Sequence, residues 1–187
     1  ELEHFCDRYP HVRIRLLNYS APQAVKALEN YIIAFAIVST PVLVHKHMHQ
    51  EKLVSYDEIL LGGTKYKQFA QQVHYLEDIS EMPLIGLCEG SSTHTHYSRF
   101  FMEHDLPFEP DMEAAMTDQV LPMITHNLGI GFYPKSLALE AIEKELVFPI
   151  ELTEPLPNRD VVVITNNHTP INSAARRFLE FLLENRK

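Results

Sequence analysis

Apolar positions along this chain follow two rhythms. Leu2, Phe5, Cys6 and Tyr9 recur at helical spacing, and Glu1 already stands inside that pattern, so the helix is expected to begin upstream. Pro10 ends it. Val12, Ile14 and Leu16 then alternate with His11, Arg13 and Arg15, the pattern of a strand over 12–17 with one polar face. Ser20 predicts an N-cap, with Pro22 in the first turn of a helix reaching Asn30 and turning Ala24, Val25 and Leu28 inward. The run 32–38 is continuously apolar, as in a strand covered on both faces. Strand, helix and strand at this spacing predict a right-handed crossover, hence a parallel sheet. Two short strands are expected at 42–49 and 55–61, closed by a turn at Gly62 and Gly63. Weak helix over 65–72 and a connecting turn at 76–79 follow.

The next stretch, 83–101, is the most informative. Leu84, Ile85, Leu87 and Cys88 suit a buried strand, Gly90 breaks it, and Ser91, Ser92 and Thr93 read as turn and N-cap residues. Tyr97, Phe100, Phe101 and His104 then recur at helical spacing. Small hydroxyl residues between a strand and a helix start leave backbone N–H groups turned outward, which suits an anion or a polar small molecule. A strand over 108–114 follows, then a helix opening at Thr117 or Asp118 with Val120, Leu121, Ile124 and Leu128 inward and Gly129 at its C′ position. A strand over 130–133 is cut by Pro134, and a helix at 137–144 precedes strands at 148–152 and 161–165. A helix over 173–185 closes the chain, with Ala174, Phe178, Phe181 and Leu182 as its buried stripe. The alternation predicts an α/β fold of two Rossmann-like lobes: lobe I from 1–76 and 160–187, lobe II from 77–159. A ligand belongs in a crevice at the carboxyl ends of the strands.

Composition narrows the function. With 187 residues and a net charge of −9, the body repels nucleic acid. Its two cysteines, Cys6 and Cys88, lie far apart and form no CxxC pair, so reduced thiols and a cytoplasmic setting are expected. No apolar run approaches the roughly 18 residues of a membrane span, and no signal peptide heads the sequence.

Four blocks in order then resemble the effector-binding domain of LysR-type transcriptional regulators. They are Phe5-Cys-Asp-Arg-Tyr-Pro-His-Val-Arg-Ile-Arg-Leu16, Leu76-Glu77-Asp78-Ile79 through Thr93, His126-Asn-Leu-Gly-Ile-Gly-Phe-Tyr-Pro134, and Ser173-Ala-Ala-Arg-Arg-Phe-Leu-Glu-Phe-Leu182. The resemblance implies a fold like the type 2 periplasmic binding proteins, with two crossover segments joining the lobes and a small polar or anionic effector held between them. It implies effector contacts at Ser91, Ser92, Thr93 and His94 and, on the far wall, at Ile130, Gly131, Phe132 and Pro134. It also implies an N-terminal winged helix-turn-helix carrying all DNA contact, a first strand ahead of Leu2, and a homodimer or tetramer using the helices at 2–9 and 117–128. No cofactor, metal or membrane partner is implied. Tyr31 and Ala34 depart from the family's glycine and aspartate before its third strand.

The same residues also carry patterns of other chemistries. Gly86-Leu87-Cys88-Glu89-Gly90 resembles the nucleophile elbow of class I glutamine amidotransferases. That enzyme needs a downstream His-x-Glu, whereas His168 is followed by Thr169 and Pro170, and the helix begins several residues after Cys88. A structural cysteine is the expectation. A solute-binding protein for transport would share the fold but requires secretion. His45, His47 and His49 alternate as a candidate metal face, with no cysteine or carboxylate at helpful spacing. His96 and Arg99 lie near the ligand loop, Arg99 as a surface residue. Gly129-Ile130-Gly131 follows a helix, so it is no dinucleotide fingerprint.

Overall fold

The computed structural model describes residues 2–168 and 171–184. Its elements run α1 (Leu2–Arg8), α2 (Ala21–Glu29), β1 (Ala36–Ser39), β2 (Met48–Tyr56), β3 (Glu58–Gly63), β4 (Val73–His74), α3 (Leu76–Ser80) and β5 (Leu84–Leu87). They continue with α4 (Ser92–Met102), β6 (Met112–Ala114), α5 (Thr117–Thr125), β7 (Ile130–Pro134), α6 (Lys135–Glu143), β8 (Val147–Leu152), β9 (Arg159–Asn166) and α7 (Ser173–Glu184). The chain divides into unit 1, Glu1–Ser55 with Asp160–Lys187, and unit 2, Tyr56–Arg159. It therefore crosses at Ser55–Tyr56 and again at Arg159–Asp160. The first crossing lies earlier than the expected boundary at residue 76, because β3 sits inside the sheet of unit 2.

Unit 1 holds a three-stranded sheet in the order β1-β9-β2. β1 is antiparallel to β9, with Ala36 opposite Ile164 and Ser39 opposite Val161. Gln23 Oε1 accepts the Ser20 N–H at 3.0 Å, fixing the start of α2. Its Ala24, Val25 and Leu28 pack on Ala36, Val38, Val162 and Ile164. Fully buried Phe5 of α1 meets Phe178 at 4.7 Å and Phe181 at 5.7 Å between ring centroids. The buried position of α7 is Leu179 rather than the predicted stripe residues, which are half-buried. Asn185, the predicted end of that helix, lies outside the described residues.

Two expectations fail in unit 1. Residues 12–17 form no strand, and Leu16 is 74% exposed. Alternation stabilises a strand only where a neighbour completes the ladder, and no described strand lies beside this segment. Without it the expected parallel crossover does not form there, and among the described residues β1 pairs only with β9, antiparallel. An apolar groove flanks the segment, lined by Ile14, Leu17, Ile33, Phe35 and Phe178.

Unit 2 is built on a six-stranded mixed sheet in the order β4-β8-β3-β7-β5-β6. β3 is antiparallel to both β7 and β8, while β4–β8, β5–β7 and β5–β6 are parallel. Alternation sorts its strand residues onto two faces. Leu60, Leu84, Ile130 and Phe132 meet Leu76 and Ile79 of α3 and Tyr97, Phe100 and Phe101 of α4. Leu61, Ile85 and Tyr133 meet Val120 and Ile124 of α5 and Ala138 and Ala141 of α6. Gly62 and Gly63 end β3 rather than forming a turn. A Cβ on Gly63 would stand 2.3 Å from the Ile124 carbonyl oxygen, so this glycine admits a neighbouring backbone. The left-handed residue after α5 is Asn127 (φ 61°), not Gly129. Asn127 holds this position because its Oδ1 also accepts the Lys65 N–H at 2.7 Å.

Candidate functional site

The junction of β5 and α4 carries the predicted loop. All four residues of β5 are buried, and the Leu84 N–H donates to Asp111 Oδ2 at 2.8 Å. The Ser91 N–H reaches the Cys88 carbonyl at 3.1 Å across Gly90, which takes φ 82°. Ser91 is the N-cap, its Oγ accepting the His94 N–H at 3.1 Å. Its carbonyl takes both the backbone N–H and the hydroxyl of Thr95, each at 3.1 Å. Ser92 and Thr93 thus fall in the first helical turn, where N–H groups have no acceptor within the helix.

Beside this turn lies a buried polar network. Arg159 Nη1 donates to Glu58 Oε1 at 3.1 Å, and each side chain is 3% exposed. The Tyr97 hydroxyl donates to the other Glu58 oxygen. Arg159 Nη2 donates to Thr93 Oγ1 at 3.0 Å. Burial first, then the Glu58 charge, pushes the Tyr97 hydroxyl well above its usual range, so it stays protonated and donates. His96 is pulled down to about 4, by burial and then by the Arg159 charge, against a hydrogen bond to the Pro157 backbone. Its Nε2 is buried without a partner among the described residues. A small cavity is lined by Glu58, Thr93 and Tyr97 together with Leu87, Phe108 and Phe132.

The predicted contacts separate on this geometry. Phe132 stacks on Tyr97 (4.2 Å between centroids, 16° between planes) and lines the cavity with Thr93. Ile130 is fully buried in the core, and Gly131 packs under α5. Pro134 pairs with Glu58 in register. Ser91 is engaged in capping. His94 Nδ1 lies 3.2 Å from Ser98 Oγ, with its ring edge-on to Phe108. Sequence reasoning missed Glu58, Tyr97 and Arg159 as a group. The available signal was a pair of charged residues heading each of two apolar runs, Asp57-Glu58 before Ile59 and Arg159-Asp160 before the valines of β9.

The histidines of unit 1 regroup. His45 and His47 stack at 5.7 Å, and His47 stacks on His168 at 4.9 Å, leaving out His49. His45 Nε2 meets Glu29 at 2.9 Å. Among the described residues no group of three or more side chains is arranged to hold a metal ion.

The family model described as the LysR substrate binding domain matches residues 2–187, and the chain belongs to that family. It is 22% identical over 144 residues to the HTH-type transcriptional regulator GltR of Bacillus subtilis (strain 168), covering 77% of this chain and 47% of that protein. It is 20% identical over 178 residues to the HTH-type transcriptional regulator YofA of Bacillus velezensis, covering 95% of this chain and 59% of the relative. The chain thus spans about half the length of the curated relatives it matches. Among solved structures, the CcmR regulatory domain of Synechocystis PCC6803 in complex with 2-PG superposes with a TM-score of 0.86 at 15% identity, over 100% of this chain and 89% of the other. The effector binding domain of QuiR in complex with shikimate gives 0.83 at 15% identity, over 99% and 88%. The fold is therefore that of LysR-type regulatory domains, two α/β lobes of the periplasmic-binding-protein type. No described helix is long and apolar enough to cross a membrane.

Proposed function

We propose that this chain is the ligand-sensing domain of a LysR-type transcription regulator. Ser92, Thr93 and Phe132 contribute to holding a small polar or anionic effector; aromatic acids, amino acids and sugar acids are the candidates. The observation that carries this reading is the first turn of α4: Ser91 caps it, which leaves the Ser92 and Thr93 N–H groups for a ligand beside a cavity lined by both polar and apolar side chains. The effector biases a conformational equilibrium, a coupling of order 1–3 kcal/mol in such regulators. DNA is read by a segment outside this sequence, consistent with the HTH-type relatives and with a net charge of −9 here. The protein works in the cytoplasm as a homodimer or tetramer.

This reading gives the domain a regulatory role, in keeping with its transcriptional-regulator relatives. Cys88 is half-buried, and the nucleophile-elbow alternative lacks the downstream His-x-Glu that it needs. The test is a thermal-shift screen of metabolite acids, amino acids and sugars. A true effector raises the melting temperature, by about 2.7 kcal/mol of added stability at 100 times its Kd. Thr93→Val is expected to weaken that shift, read against the variant's own unliganded melting temperature, which falls as well because Arg159 loses an acceptor. An unchanged shift would remove Thr93 from the site.

A further inference from the structure

Two stretches of this chain keep unpaired backbone edges. Residues 13–18 belong to no regular element and take part in no backbone–backbone hydrogen bond among the described residues. β6 is the outermost strand of the unit 2 sheet and is paired along one side only, with β5. Such an edge is a template for a strand of another chain. The side chains of the two stretches carry opposite signs in the same two-residue rhythm. His11, Arg13 and Arg15 alternate with Val12, Ile14 and Leu16, and Arg13 through Leu16 are all exposed. Along β6 and the residues before it, exposed Glu109, Asp111 and Glu113 alternate with more buried Pro110, Met112 and Ala114. Among the described residues Arg13, Arg15, Glu109 and Glu113 form no ion pair.

We propose that residues 11–16 of one copy pair as a strand with the free edge of β6 in a second copy, the basic row facing the acidic one. The proposal rests on the reading of this domain as a homodimer or tetramer and names the surface that joins its copies. Opposite charges placed across a strand pair stabilise it and like charges oppose it. β6 against a second β6 would set carboxylate against carboxylate, and 11–16 against its own counterpart would set arginine against arginine. Each edge thereby rejects itself and accepts the other, which gives the contact its specificity. Alternation then turns Ile14 and Leu16 to the opposite face from the arginines, where a neighbouring strand removes them from water. The contact also supplies the ladder neighbour that residues 12–17 lack in a single copy.

Charge exchange tests this on the whole chain. One variant carries Arg13→Glu and Arg15→Glu, the other Glu109→Lys and Glu113→Lys; Asp111 is left in place because it accepts the Leu84 N–H. Sedimentation velocity over a range of concentrations is expected to show self-association of the original chain that weakens as salt is raised. Each variant alone should associate about tenfold more weakly, while its circular-dichroism melt stays cooperative because the exchanged side chains are exposed. An equimolar mixture of the two variants should regain the association, and so should a single chain carrying all four substitutions, since both restore opposite signs across the contact. Association of either variant as tight as the original, or a mixture no tighter than its parts, overturns the inference and leaves the assembly to another surface. An original chain that stays monomeric at every concentration overturns the oligomeric reading itself, and the inference with it.

Discussion

At the scale of single residues, Glu58 is held by two donors and Arg159 by two acceptors, and neither side chain reaches water. Removal of one partner leaves an uncompensated buried charge, which costs about 3–5 kcal/mol. Glu58→Leu and Arg159→Met are therefore expected to be strongly destabilising singly, and together to cost less than the sum of the two. Urea unfolding of the four proteins in a double-mutant cycle measures this, and strict additivity would show that the two charges do not interact. His96 supplies a pH dependence whose sign is set by its low value. Its folded pKa of about 4 lies below the roughly 6.5 of an unfolded histidine. Between those values the unfolded chain binds a proton that the folded chain does not, so stability is fully present above the upper value and is lost as pH falls toward the lower. The urea midpoint should drop from pH 7 to pH 5, and His96→Gln should flatten that drop. Tyr97 was legible in the sequence as a helix-face aromatic. Its partner Glu58, and the partner of Glu58 across 101 positions, were not, because a single sequence carries no information on which distant charges meet.

At the scale of elements, α4 distinguishes a capping role from a binding role within three adjacent residues. Ser91 makes the cap hydrogen bond, so Ser91→Ala should cost about 1 kcal/mol in thermal melts. Ser92→Ala, in the first turn with no side-chain bond, should change stability by only a few tenths of that. Equal losses would mean that the cap is shared. The sequence located this helix well, since Gly90, the hydroxyl run and the aromatic spacing all agree. It misread elements where a local signal had a non-local cause. Gly62 and Gly63 look like a turn, yet they lie in β3, where Tyr66 crowds the first and the end of α5 crowds the second. Gly129 looks like a helix terminator, yet Asn127 takes that conformation and uses its side chain to fasten Lys65. The alternation over 12–17 looks like a strand, but a ladder needs a neighbour that the pattern cannot supply.

At the scale of the whole molecule, the two units differ in how the chain assembles them. Unit 2 is one continuous stretch, Tyr56–Arg159, with a six-stranded sheet covered by a hydrophobic cluster on each face. Unit 1 is discontinuous, and the middle strand of its sheet, β9, arrives only after unit 2 is complete. A strand pair closed through so long an intervening segment carries a larger loop-closure cost than the local pairings inside unit 2. A fragment spanning 56–159 is therefore expected to fold alone, with a cooperative urea transition and strong amide protection in β8, β3, β7 and β5, the strands flanked on both sides. A fragment of residues 1–55 lacks β9, so β1 and β2 have no strand between them, and it should remain unfolded. Adding the 160–187 segment in trans should restore structure to it only at concentrations high enough to replace the lost covalent link. A non-cooperative transition in the 56–159 fragment would show that unit 2 depends on unit 1 for its stability, and that the Glu58–Arg159 pair at its two ends is formed only in the intact chain.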